Sequence, residues 1–264
     1  MTDSQEPENV ENAPEEYLPP AAEASENAME RPGFVSSFVG VIASPGDAMP
    51  RIAAAKSWNF LLLIVLLIAI GLGAFATIMA RGDMEGLLRD QMRRSPRAAE
   101  MSDEQIETAI AMQQKFMPIT YVTIPVATLV SYLFIGFVFW LAFLAVGGSA
   151  TFVGCWRMTV WGQVPGFIKG ILAIIIMFVR DPTNMDLKNP IATNVAAFMG
   201  HDALPAAAYA LLSHLDLFTF WMLWLLTLGM AAEAKIKKGT AGAVVIGLWL
   251  IPVAIHTAWA ALMG

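Results

Sequence analysis

A chain of 264 residues with 57% hydrophobic and only 14% charged side chains, and a mean hydropathy of +0.59, lies far from the composition of soluble domains. Its net charge of −6 gives no basic stripe to follow a phosphate backbone, so nucleic acid is excluded as a partner. Once the long apolar blocks are set aside, residues 1–58 and two loops remain, too little for a soluble catalytic domain.

Residues 1–30 carry nine acidic side chains, no basic one and several prolines. Such a segment buries too little to offset the entropy of ordering, so residues 1–33 are expected to form a disordered acidic tail, either merely solubilising or a docking segment for a basic partner. From Gly33 the composition changes. Phe34, Val35, Phe38, Val39, Val41 and Ile42 make an apolar stripe too short to span a bilayer and expected at its interface. Ser44, Pro45, Gly46 and Asp47 read as a helix start, with Ser44 as N-cap and Pro45 in the first turn, and the helix is expected to run through Lys56. Trp58 then falls at headgroup level.

The run from Asn59 to about Ala80, NFLLLIVLLIAIGLGAFATIMA, is uncharged. As a helix it reaches ~33 Å, against a hydrocarbon core of ~30 Å. It begins past any signal-peptide position with no small-residue cleavage site before it, which predicts a retained anchor. The loop Arg81–Met117 mixes six basic with seven acidic residues, and Ser102, Asp103, Glu104 and Gln105 form a capping-box pattern. Leu87, Leu88 and Met92, then Ile106, Ile110 and Met117, predict two amphipathic helices. Arg89, Arg93, Arg94 and Arg97 form either a solvated face touching lipid phosphates or an anion site. Further apolar blocks lie at residues 119–146, 151–179, 215–234 and 241–263. Between the third and fourth, the loop Arg180–Ser213 carries the turn formers Asp181, Pro182, Asn189 and Pro190, then a short helix at Ala206–Leu212. The expectation is an all-α polytopic membrane bundle, with five transmembrane helices (59–80, 119–146, 151–179, 215–234, 241–263) and amphipathic flanking helices, over residues 34–264.

Signals of catalysis are missing. His201, His214 and His256 are too few and badly spaced for a metal site, and His214 and Asp216, two apart, would point to different faces of one helix. Cys155 reads as a small buried filler. There is no Walker loop, dinucleotide fingerprint or nucleophile elbow, so no enzyme and no cofactor is expected. Polar residues at membrane depth are the remaining candidates: Arg157, Gln163, Lys169, Asp216 and Glu233. Each also has a structural reading: Lys169 snorkelling, Asp216 capping the fourth span, and Glu233 pairing with Lys237 four residues on. Gly166 and Gly170, and the series Gly239, Ala243 and Gly247, present flat faces for the internal bundle or for a second copy. Pro165 and Pro252 are expected to kink their helices.

Three strings occur in order: VIASPGDAMPRIAAAKSW before the first span, MRRSPRAAEMSDEQIETAIAMQQKF before the second, and HLDLFTFWMLWLLTLGMAAEAKI through the fourth. Together they resemble the bacterial branch of the Yip family, the Ypt/Rab-interacting proteins with a Yip-one domain, from about residue 34 to the C-terminus. The resemblance rests on the helix opened by Ser44 and Pro45 and on the fourth-span pattern Leu215–Trp221. It implies five spans in a bacterial plasma membrane, a cytoplasmic N-terminus and no known catalytic residues. Eukaryotic relatives are implicated in vesicle trafficking and bind prenylated Rab GTPases, but residues 1–58 match no GTPase-contact motif. Lys235, Lys237 and Lys238, crowded into one short turn, also favour a cytoplasmic N-terminus, although the two large loops carry more basic residues in total. The chain is thus expected to be a non-enzymatic membrane-organising or partner-binding scaffold that contacts the lipid bilayer and a protein partner or a second copy. The alternative is a small-solute or ion permease built on Arg157, Gln163, Lys169 and Asp216.

Overall fold

The computed structural model describes residues 33–55, 60–79, 102–179, 191–199 and 204–263. The expectations for residues 1–32, Lys56, Trp58, the arginines between 89 and 97, the turn formers between 181 and 190, and His201 lie outside the described residues.

Helices α1 (Phe34–Ala43) and α2 (Pro45–Ala54) pack on each other, joined at Ser44. Ser44 holds the N-cap position, but its hydroxyl makes no capping bond; its carbonyl accepts from Asp47 and Ala48 while Pro45 opens the helix. The apolar stripe of α1 does more than rest on a membrane surface. Val41 is fully buried, and the Phe34 ring meets Trp161 at 6.1 Å between centroids, while Val35, Val39 and Ile42 stay exposed on the other face.

After α3 (Phe60–Met79) comes α4 (Asp103–Ala145), opened by the Ser102 and Gln105 capping box. An amphipathic helix and a separate span were expected here. They form one continuous 43-residue rod, about 65 Å long at ~1.5 Å per residue, of which Thr123–Ala145 is the part apolar enough to cross a membrane. The block 151–179 instead divides into α5 (Phe152–Gly162) and α6 (Val164–Val179), broken at Gln163. Pro165 accounts for the break, because its ring collides with the carbonyl four residues back and it has no N–H to donate there. Pro252 sits inside a continuous helix. Two short helices, α7 (Val195–Met199) and α8 (Ala206–Ser213), precede α9 (Leu217–Ala234) and α10 (Lys238–Met263).

Four helical segments are long and apolar enough to cross a membrane: Thr123–Ala145, Phe152–Ile176, Leu217–Ala234 and Lys238–Leu262. A shorter apolar stretch, Leu62–Gly71, lies within the 20-residue α3. The architecture is a polytopic helical membrane bundle, with no strand among the described residues. Helix α9 is its axis, contacted by α2, α5, α6 and α10. Trp161, Phe143, Met49, Met158, Leu225 and Met230 fill the core, whereas Phe134, Leu141, Leu250, Ile255 and Trp259 face outward, as lipid-facing side chains must.

Single glycines make the close contacts. A β-carbon at Gly136 would lie 2.7 Å from the Trp156 Cα, so α4 and α5 touch backbone to backbone there, and one at Gly162 would enter the Leu226 side chain of α9. The repeated small residues point elsewhere. Gly170, Gly239 and Gly247 have open space where a β-carbon would stand, Gly166 and Ala243 are exposed, and α10 turns Ala241, Val245 and Val253 inward instead. Their spacing describes a flat stripe correctly but does not say which way it faces.

Candidate functional site

Helix α9 runs antiparallel to α5 and α6, which sorts the polar residues into two clusters at its ends. At its N-terminus Asp216 is buried, with its side chain 3% exposed. Its Oδ1 accepts from the Phe218 and Thr219 amides at 2.9 and 3.3 Å, capping two of the donors that a helix start leaves unpaired. Its Oδ2 accepts from Lys169 Nζ at 2.8 Å and from Thr193 Oγ1 at 2.5 Å. The expected cap is present. Lys169, read from the sequence as snorkelling, is brought by α6 level with the start of α9, where its ammonium pairs with the Asp216 carboxylate.

The connection between α6 and α9 is tied to the same point. Asn194 and Asp216 form an isolated antiparallel bridge, in which the Val195 amide donates to the Leu215 carbonyl and the Leu217 amide to that of Thr193, each at 3.2 Å. Asn194, 2% exposed, caps α7 by accepting from the Ala197 amide. Thr193 and Asn194 escaped the sequence reading; the signal available was a polar pair directly before the apolar VAAFM. Burial alone would raise the Asp216 carboxyl, but the hydrogen bonds from Lys169 and Thr193, the Lys169 charge and the Thr219 amide outweigh it and hold the group below the usual carboxylate range.

His214 and Asp216 do not share a helix, since His214 closes α8 and Asp216 caps α9, so the spacing argument applied to them does not hold. The partner of His214 is His256 on α10, with Nε2 and Nδ1 2.9 Å apart.

At the other end of α9, Glu233 Oε1 accepts from the Thr151 hydroxyl at 2.8 Å and the Thr151 amide at 3.3 Å, while Thr151 Oγ1 caps α5 through the Gly154 amide. The carboxylate occupies a notch that any side chain at position 154 would fill. The expected partner Lys237 does not share a helix with Glu233. Lys235 adopts a left-handed conformation (φ 55°) that ends α9 at Ala234, so the spacing of four no longer follows a helix. Arg157 Nη1 donates to the Ile52 and Ala53 carbonyls at 3.3 and 3.1 Å, satisfying acceptors at the C-terminus of α2. Gln163 is half-buried at the α5–α6 break between the two clusters, and Cys155 is fully buried.

The two carboxylates lie 17 residues apart on α9, about 26 Å at the helical rise. Between them the helix faces apolar neighbours, including Leu226 against Gly162 and Gly229 against Met49 and Met158. Asp216, with both oxygens engaged and its cation already paired, is arranged as a junction of chain segments and not as an exposed base. Among the described residues no group of three or more His, Cys, Asp or Glu side chains is placed to hold a metal ion.

The sequence matches the Yip1 domain over residues 39–260, and the chain belongs to that family. Comparison with curated proteins and with solved structures returned no match.

Proposed function

We propose that this Yip1-domain protein is a non-enzymatic scaffold of a bacterial plasma membrane, organising the bilayer or binding a protein partner or a second copy of itself. The observation that carries this reading is the separation of Asp216 and Lys169 from Glu233 and Arg157 by an apolar stretch of α9. A permease needs polar groups converging near the midplane of the bilayer. Here the charged side chains are consumed in holding segments together at the two ends, and Gln163 is the one member of the set between them.

Affinity capture from membranes in mild detergent, with identification of co-purifying proteins, tests the proposal. A stoichiometric partner or a stable dimer is expected. Substrate-dependent flux in proteoliposomes, lost in Lys169→Met, would replace the scaffold with a permease.

For orientation, Arg51, Arg157, Lys235, Lys237 and Lys238 gather at the end of the bundle where α2 docks, and the positive-inside rule assigns that end and the N-terminus to the cytoplasm. In a Cys155→Ala background, an impermeant thiol reagent applied to intact cells is expected to label Ser95→Cys and spare Lys238→Cys. The opposite pattern inverts the assignment.

A further inference from the structure

The His214–His256 contact has no part in the scaffold reading. It joins the end of α8, in the long connection between α6 and α9, to the far part of α10, and the two rings stand edge to face at 5.1 Å between centroids. A ring nitrogen 2.9 Å from another is a hydrogen bond in which one imidazole donates N–H and the other offers its lone pair. The accepting ring must be neutral. The bond therefore survives with no proton or one proton added to the pair, and fails when both rings are imidazolium, which present hydrogens to each other and carry like charges.

We propose that His214 and His256 form a proton-operated latch that fastens α8 to α10 in neutral medium and releases it in acid.

The surrounding structure makes such a release local. Helix α8 has only eight residues, too few to persist without the helices it packs on, α7 and α10. Just beyond His214 the chain is pinned independently, by the bridge between Asn194 and Asp216 and by the bonds of Asp216 to Lys169 and Thr193. Opening the latch thus frees α8 up to His214, while the bridge holds Leu215 and α9 keeps its start. Burial, and after it the charge of His256, lower the proton affinity of His214 below that of an ordinary histidine. The latched state consequently binds fewer protons than the open one. Its stability is complete above the free-histidine value, about 6.5, and is lost as pH falls from there through the lowered value.

Among the described residues, other groups on the neighbouring elements do not substitute for the pair. Tyr209 is the remaining titratable side chain of α8, and α7 has none. Asp216 is bonded to Lys169, Glu233 and Lys238 stand at the far ends of α9 and α10, and the charged residues of α4 (Asp103, Glu104, Glu107 and Lys115) lie on the part before its span. The charge acting on His214 is that of His256.

Hydrogen exchange of the full chain in lipid nanodiscs, at about pH 7.5 and about pH 5 and corrected for intrinsic rates, tests the latch. The expected result is a loss of protection in residues 206–213 of about tenfold or more at the lower pH, with α9 unchanged. His256→Gln, whose amide can bond His214 in either protonation state, should keep α8 protected at both pH values. His256→Phe keeps a ring but no nitrogen and should leave α8 unprotected at both, with α9 protection reporting that the bundle is intact. Unchanged protection of α8 in the wild type, or an acid response in His256→Gln equal to that of the wild type, would overturn the proposal.

Discussion

The two ends of α9 solve the same problem with different chemistry. Each buries or half-buries a carboxylate at the limit of an apolar helix. Asp216 meets a full cation, a hydroxyl and two amides, and through them gathers α6, the segment around Thr193 and its own helix. Glu233 meets one threonine, and its neighbour Arg157 is spent on carbonyl groups of α2. The difference follows chain topology. Near Glu233 the connections are tight: residues 146–151 link α4 to α5, and residues 235–237 link α9 to α10, so short-range geometry already holds the helices. Near Asp216 the chain between α6 and α9 is long, and an ion pair with a backbone bridge supplies the constraint that a short turn would otherwise impose.

The largest test of this contrast is Asp216→Ala, which removes a cap and leaves Lys169 facing a buried site. A loss of about 4 kcal/mol in detergent unfolding is expected. Asp216→Asn should lose less, because its oxygen still caps, although its amide nitrogen then confronts the Lys169 ammonium. Equal and small losses in both would reduce the junction to a simple cap. Next comes the helix contact. Gly136→Ala drives a β-carbon into the Trp156 backbone, which cannot turn aside, and should cost about 3 kcal/mol, whereas Gly154→Ala displaces the flexible end of Glu233 and should cost about 1 kcal/mol.

Removing one donor to the buried charge, in Thr193→Val, should cost about 1.5 kcal/mol. It should also move acid unfolding to higher pH. With its proton affinity lowered by folding, Asp216 contributes stability that is complete above the ordinary aspartate value, about 3.9, and is lost as pH falls through the lower folded value. Glu233→Gln keeps the oxygen that Thr151 uses and should cost under about 1 kcal/mol; a loss as large as that of Asp216→Asn would erase the distinction between the ends. The smallest effect is expected at the outward glycines. Gly170→Ala and Gly247→Ala meet open space in the single chain and should stabilise their helices by roughly 0.5 kcal/mol, unless a second copy packs there, in which case the dimer population falls.

Apolar length and capping chemistry were legible because both are local properties. Uninterrupted hydrophobic runs marked the long helices, the Ser102 box marked the start of α4, and Asp216 before LFTFW marked the start of α9. What the residues would bond to was another matter. Lys169 and Asp216 are 47 residues apart, His214 and His256 are 42 apart, and Thr151 and Glu233 are 82 apart, and nothing in periodicity or spacing couples such positions. Even the i,i+4 pair that the sequence offered, Glu233 with Lys237, failed because a left-handed Lys235 ended the helix between them. The sequence by itself determined that this chain enters a membrane as helices, and roughly where they begin, since the cost of exposing apolar side chains to water and of leaving helix ends uncapped is set residue by residue. Only the tertiary structure decided which glycines touch a neighbour and which charge meets which, because those outcomes depend on the depth and rotation at which one helix lies against another.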